Sequence, residues 1–266
     1  MIKRILTLMM PPIILILIRK IKGSIKHGWH GDYTSWAEAQ AKSTGYESQL
    51  ILDKVYTSLL KVKNGEAIYE RDSVIFNEIQ YSWQLLSGLM YAAAKNHGNL
   101  NVLDFGGSLG STYYQNKKFL SGLESVNWSI IEQENFVECG RNNFANQHLH
   151  FYNNIDECFR NQSPTVLVLS SVLQYIEKPY ELLEELLSYN FDMILIDRTP
   201  FAYSGKDTIT LQTVPPEIYH ASYPCWLFNE NNFIDKFNGY KLLESFDALY
   251  SSKSLKLKGF IYELKE

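Results

Sequence analysis

The run Asp104-Phe105-Gly106-Gly107-Ser108-Leu109-Gly110 is the segment best suited to hold a ligand. It follows the apolar stretch 101–105, so it reads as the turn after a strand. Glycine lacks a Cβ and tolerates positive φ, which lets a chain pass close beneath a bound molecule. A dinucleotide pyrophosphate needs G-x-G-x-x-G at such a turn. Counting from Gly106, Ser108 and Ser111 stand where glycine is required, and the lysine of a phosphate-binding loop is missing. The run fits D-x-G-x-x-x-G instead. An acid closing the strand repels a pyrophosphate but suits the ammonium group of a cationic amino-acid cofactor. Glu132 ends the next apolar stretch, 128–132, and an acid there can accept both hydroxyls of a ribose.

Further candidates follow later strands. Ser170, Ser171 and Gln174 come directly after the stretch 165–169, at a strand-to-loop position that faces a ligand, and Gln174 and Tyr175 can reach its reacting end. Ser171 can equally cap the next helix while Tyr175 packs. Arg71, in Tyr69-Glu70-Arg71-Asp72, offers a guanidinium fork for a ligand carboxylate, or for an internal brace to an acid. Arg198, after the stretch 193–197, can orient an anionic sugar or a phosphate, or form a structural salt bridge. Residues 212–226 read as a rigid polar-aromatic loop, with Pro215, Pro216 and Pro224, that covers the acceptor as a lid. His220 within it is the best general base among six histidines. No H-x-x-H or His/carboxylate spacing points to a metal.

These residues need a scaffold that gathers strand ends. From residue 98 onward, short Val/Ile/Leu runs alternate with amphipathic stretches. Strands are expected near 101–105, 128–132, 148–152, 165–169 and 193–197, with helices between them. Such strands, apolar on both faces, build a parallel sheet covered by helices on each side. Residues 240–249 and 255–264 read as an antiparallel edge pair. Before residue 98 the pattern is helical throughout. Ser35-Trp36-Ala37-Glu38 is a capping box, and apolar residues recur at helical spacing over 48–62 and 73–95.

Charge narrows the partners. The 266 residues carry a net charge of −4. Residues 1–26 hold Lys3, Arg4, Arg19, Lys20, Lys22 and Lys26 with no acid, so the remainder is at −10. That body has no broad positive field for nucleic acid. Three cysteines are too few for a disulfide framework or a zinc cage and fit a reducing cytoplasm. Aromatics make up 14%, with 18 Tyr, which suits sugar-binding clefts as well as core filling. Between the basic flanks, Ile5 to Ile18 is apolar apart from Thr7. Fourteen helical residues reach only about 21 Å, short of a bilayer core of about 30 Å. Arg19, Lys20 and Lys22 stand where a signal peptide would be cleaved. The segment is therefore expected to lie on an anionic membrane surface, with a buried helix or a dimer contact as the other reading.

From residue 98 to its end the chain resembles the class I S-adenosylmethionine-dependent methyltransferases. It is more closely similar to a bacterial methyltransferase family found among surface-polysaccharide biosynthesis genes. The likeness is carried by GWHGDYTSWAEA (28–39), YERDSVIF (69–76), LDFGGSLGSTYYQN (103–116), EQENFVECG (132–140), SSVLQYIEKP (170–179), IDRTPF (196–201) and TVPPEIYHASYPCW (213–226). It implies an α/β fold: a doubly wound, Rossmann-like methyltransferase sheet of seven strands, mostly parallel with an antiparallel C-terminal strand. Residues 1–26 are then a membrane-associating segment, 27–97 a helical cap and 98–266 the cofactor domain. The resemblance implies S-adenosyl-L-methionine as cofactor, held by Arg71, Asp104, Gly106, Gly107, Ser108, Gly110, Glu132, Gln133, Ser170, Ser171 and Gln174. His220, Arg198 and Tyr175 would serve the acceptor. Ser108 departs from the family's usual middle glycine, with Gly107 beside it as compensation. The expected activity is O-methylation of a sugar of a surface glycan or its lipid-linked precursor, on the inner face of the cytoplasmic membrane. A small molecule or amine as acceptor, another nucleoside-binding enzyme, a non-catalytic cofactor-binding module and a homo-oligomer all stay open.

Overall fold

A computed structural model describes residues 28–45, 48–215, 218, 220–248 and 255–265. The expected membrane-associating segment, residues 1–26, lies outside the described residues.

In chain order the elements begin with β1 (Gly28–Tyr33), α1 (Trp36–Ala41), α2 (Ser48–Lys63), β2 (Tyr69–Arg71), β3 (Val74–Phe76) and α3 (Trp83–Lys95). Alternating units follow: β4 (Asn99–Phe105), α4 (Ser111–Leu120), β5 (Ser125–Ile131), α5 (Glu134–Asn143), β6 (Leu149–Tyr152), α6 (Ile155–Asn161) and β7 (Val166–Ser170). A 3-10 turn at Leu173–Tyr175 leads to α7 (Pro179–Leu187), β8 (Met193–Phe201), β9 (Thr208–Thr213), β10 (Ser222–Leu227), α8 (Glu230–Ile234), β11 (Tyr240–Asp247) and β12 (Lys256–Leu264).

Seven strands form one sheet in the order β11-β12-β8-β7-β4-β5-β6. The pairs within β6, β5, β4, β7 and β8 are parallel, and β12 runs antiparallel to both β8 and β11. This is the doubly wound, mostly parallel sheet the strand pattern predicts, with an antiparallel C-terminal strand. The terminal pair is not simply an edge: β12 inserts between β8 and β11. Successive residues point to opposite faces. Val102, Ile130, Val168 and Leu195 pack with Leu89 of α3, Tyr113 of α4 and Phe136 of α5. Leu103, Ile131, Leu167 and Ile194 pack on the other side with Cys158 of α6, Leu183 of α7 and Phe233 of α8. Strand order reverses between β4 and β7, and an open α/β sheet leaves its binding crevice at such a switch point, outside the carboxyl ends of the strands.

The stretch read as wholly helical contains three strands. Ser35 does cap α1, accepting from the Glu38 N–H at 3.2 Å while Glu38 accepts from the Thr34 N–H at 3.1 Å. Before it, however, β1 pairs antiparallel with β9, about 180 residues away, and β9 pairs with β10. Such long-range pairing leaves no local periodicity to read. The helical spacing over 73–95 is interrupted too. Tyr69–Arg71 and Val74–Phe76 form a hairpin whose two turn residues, Asp72 and Ser73, both have positive φ (51° and 68°), and α3 begins only at Trp83. Much of the expected loop 212–226 is strand, in the three-stranded sheet β1-β9-β10. Trp36 of α1 stacks on Trp226 of that sheet at 6.3 Å.

Candidate functional site

The carboxyl ends of β4 and β7 and a bulge within β8 share a backbone feature. Gly106 (φ 71°), Ser108 (55°), Ser171 (57°) and Arg198 (54°) all adopt the left-handed conformation. Non-glycine residues pay for that geometry in strain, which persists where surrounding structure enforces it and gathers at functional sites. At Arg198 the cause is a bulge. Lys258 pairs with Thr199 and Phe260 with Ile196, so Gly259 alone opposes both Asp197 and Arg198.

Beneath the glycine turn, Asp104 is 1% exposed and accepts from Trp128 Nε1 at 3.1 Å. A Cβ at Gly107 would stand 2.5 Å from Asp104 Oδ2, so the carboxyl fills the space a side chain there would occupy. Burial pushes its pKa up to about 7; the Trp128 N–H opposes the shift and Glu132 adds to it. Gly107 and Trp128 thus enclose the Asp104 carboxyl. At Gly106 a Cβ would meet Val172 Cγ2 at 2.4 Å, and Gly110 (φ 105°) is the N-cap of α4. Val172 and Asp104 thus pack directly against the backbone of the turn. Glu132 accepts from the Ser108 N–H at 3.2 Å and the Gln133 N–H at 2.9 Å, one on each carboxylate oxygen. Burial raises its pKa against those two donors. The Gln133 side chain is exposed beside it.

After β7, Gln174 Nε2 donates to Ser171 Oγ at 2.9 Å, while Gln174 Oε1 is buried without a partner. Tyr175 donates its hydroxyl to Gln212 Oε1 of β9 at 2.9 Å and lies edge-on to Tyr223 at 5.3 Å. Trp226 Nε1 donates to the Ile176 carbonyl at 3.1 Å. Tyr175 therefore ties the small sheet to the turn after β7, and burial drives its pKa far upward. This phenol is a strut between the two.

The β2–β3 hairpin brings Arg71 and Asp72 to the same place. Asp72 lies 3.4 Å from Arg198 Nη1 and 3.8 Å from Arg71 Nε, and Arg71 sits over the Phe76 ring at 5.0 Å. Arg198 also donates to Ser170 Oγ at 3.3 Å, and its Nε is 3.9 Å from Asp197. Arg198 thus realises the internal salt bridge, and its charge is already matched by two carboxylates. His220 stands exposed in the connection between β9 and β10, with no polar partner among the described residues, and no contact brings it to the others. The fold thus gathers the glycine turn, Glu132, Ser170, Ser171, Gln174, Tyr175, Arg71 and Arg198, and leaves His220 apart.

Two acids at this place were not picked out from the sequence. Glu70, 1% exposed, accepts from the Ser111 hydroxyl and the Ser73 N–H, each at 2.7 Å. Burial pushes its pKa up to about 7 against both hydrogen bonds. Asp197, 3% exposed, closes the straight part of β8 as Asp104 nearly closes β4. A strand-terminal acid is visible in the sequence in both cases. For Glu70 no local signal exists, because its burial comes from α4.

No protein-family model matches the chain, and no curated protein matches it. Among solved structures it is similar to an S-adenosylmethionine-dependent methyltransferase from Clostridium acetobutylicum ATCC 824, with TM-score 0.46 and 10% identity over 70% of this chain and 93% of that one. It is also similar to the N-terminal domain of EvdMO1 with SAH bound, with TM-score 0.49 and 10% identity over 83% of this chain and 98% of that one. A third is magnesium protoporphyrin IX methyltransferase from Synechocystis PCC 6803 with bound SAM, with TM-score 0.47 and 12% identity over 84% and 99%.

Proposed function

We propose that the protein is an S-adenosylmethionine-dependent methyltransferase that O-methylates a sugar of a surface glycan or its lipid-linked precursor. One observation carries the methyltransferase reading: a glycine-rich turn after β4 and a carboxylate at the end of β5 meet beside the switch point of this sheet order, with the Ser108 N–H donating to Glu132. The residues fit the cofactor. Gly106 and Gly107 let Val172 and Asp104 pack directly against the backbone of the turn, which fixes its path at the strand end. Each Glu132 oxygen accepts one N–H and keeps a lone pair for a ribose hydroxyl. Arg71 offers a guanidinium for a carboxylate, and Gln174 presents a buried acceptor without a donor.

The bound cofactor supplies an electrophilic sulfonium methyl. The protein's part is to hold the acceptor in line with it, since alignment accounts for much of the rate of such a displacement. Gln174, Ser171 and the Tyr175 strut shape that approach. The glycan acceptor is supported by the resemblance to a family encoded beside surface-polysaccharide genes and by the apolar, basic residues 1–26. No helix among the described residues is long and apolar enough to cross a membrane.

Calorimetry with S-adenosylmethionine and S-adenosylhomocysteine, followed by tritiated-methyl transfer into envelope glycans, tests the reading. Binding of both ligands and label in a lipid-linked or polymeric sugar is expected. Absence of binding sinks the methyltransferase; binding with label only in small amines sinks the glycan acceptor, and binding with no transfer leaves a non-catalytic module. For the anchor, the full chain is expected to float with anionic liposomes and a chain lacking residues 1–26 to remain in the soluble fraction. Equal flotation removes the membrane role.

A further inference from the structure

A hairpin turn of two residues with positive φ favours Asn-Gly or Asp-Gly. In the β2–β3 turn Ser73 holds the place of the glycine, at φ 68°. Two contacts pin it there: its N–H donates to Glu70 Oε1 at 2.7 Å and its carbonyl accepts from the Ser58 hydroxyl at 2.8 Å. Backbone strain enforced in this way gathers at functional sites. The pinned turn presents Asp72, whose side chain is 69% exposed. Asp72 Oδ2 faces Arg198 Nη1 at 3.4 Å and Arg71 Nε at 3.8 Å, while Oδ1 has no hydrogen-bond partner among the described residues. Arg198 in turn donates to Ser170 at the end of β7, so Asp72 stands beside the strand end that borders the switch point. The other acids here are enclosed or engaged. Asp104, Glu70 and Asp197 are at most 3% exposed, and each Glu132 oxygen accepts an N–H. Tyr175 has its hydroxyl proton committed to Gln212.

We propose that Asp72 takes the proton of the acceptor hydroxyl. This rests on the methyltransferase reading and adds the residue that completes its chemistry. A lone pair of the acceptor oxygen forms the bond to the methyl carbon, and the carbon–sulfur bond breaks with its electrons left on sulfur. The hydroxyl proton is what remains to be removed. An oxygen that has gained a methyl while keeping its proton is an oxonium, a far stronger acid than a carboxylic acid. A carboxylate is therefore basic enough, and what the transfer asks of it is position and an outlet for the proton. Asp72 has both. Arg198 and Arg71 hold Oδ2 by charge, Oδ1 is open to the acceptor, and the exposed side hands the proton to water.

Two variants of the full chain test the assignment. Asp72→Asn removes the proton acceptor at constant size. Asp72→Gly removes the side chain at a φ of 51° that glycine adopts freely, so the turn keeps its path. Tritiated-methyl transfer to an envelope glycolipid extract is expected to fall roughly 100-fold in both, the scale of one general base. Formate, which replaces the lost carboxylate, should raise the Asp72→Gly rate about tenfold, whereas chloride at equal ionic strength should not. A further readout needs no turnover. A carboxylate placed for this transfer is also near the sulfonium, so both variants should lose roughly 3- to 10-fold in calorimetric affinity for S-adenosylmethionine but not for S-adenosylhomocysteine, which lacks that charge. Transfer at the wild-type rate, formate no better than chloride, or an unchanged ratio of the two affinities overturns the assignment while the methyltransferase reading stands. If Asp72→Gly loses S-adenosylhomocysteine binding its site is damaged, and the transfer rate and affinity ratio of Asp72→Asn then decide. Wild-type protein that binds neither ligand overturns the methyltransferase reading itself, and wild type that labels only amines removes the hydroxyl acceptor and with it this role of Asp72.

Discussion

Gly107→Ala is expected to lower methyl transfer roughly 100-fold, the scale on which a displacement of about 1 Å at a reacting geometry is felt. The added methyl would meet Asp104 Oδ2 at 2.5 Å and Oδ1 at 3.0 Å. A long side chain could swing aside, but Asp104 is short, buried, and held by the Nε1 of fully buried Trp128. The turn must rise instead, and it carries the Ser108 N–H that Glu132 accepts. One methyl group therefore disturbs the backbone floor and the carboxylate at the end of β5 together. Overpacking of this kind also costs about 1–3 kcal/mol of stability, readable as a lower urea midpoint. Transfer rates and S-adenosylhomocysteine affinity within threefold of wild type would show that the cofactor does not lie on this turn.

The second large effect is on stability against pH. Asp104 and Glu70 have pKa values raised to about 7 from 3.8 and 4.5, chiefly by burial. The folded protein therefore holds these protons more tightly than the unfolded chain does. Their contribution is fully present below about pH 4 and is lost as pH rises through about 7. At about 1.4 kcal/mol per pKa unit the two together amount to roughly 8 kcal/mol over the whole range. Exposed acids act elsewhere on the scale. Glu38, lowered to about 2 by Lys42 and Thr34, exerts its effect below 4.5. His150, whose pKa is lowered by burial, works in the opposite direction. Urea midpoints of the wild type should fall between pH 5 and pH 8, and in the double variant Glu70→Gln, Asp104→Asn the difference should shrink, leaving the part contributed by Glu132 and Asp197, whose pKa values burial also raises. The same slope in both proteins would place the titrating groups elsewhere.

The scaffold was legible where structure is local. Val/Ile/Leu runs marked β4, β5, β7 and β8 because a strand buried on both faces must be apolar at every position. Asp104, Gly106, Gly107 and Gly110 stood out because a turn that must approach a ligand has few alternatives to glycine. Ser35 and Glu38 revealed α1 because a capping box closes within four residues. The region 28–76 was not legible in this way. β1 is a strand because β9 lies beside it, and the six residues 28–33 contain nothing that announces a partner at 208–213.

The sequence by itself determined the doubly wound sheet, the glycine turn after its central strand, the carboxylate that ends the next one, and an apolar, basic N-terminal segment. Only the tertiary structure decided what each charge does. Arg198 is a free cation in the sequence and a neutralised one in the fold, because the β2–β3 hairpin carries Asp72 to it across 126 residues. Asp104 and Asp197 are equivalent strand-end acids in the sequence. Packing encloses one beneath Gly107 and sets the other beside Arg198. Periodicity and turn chemistry are written within a few residues, so the sequence displays them. The surroundings of a buried charge are set by segments a hundred or more residues apart, and they exist only once the chain has folded.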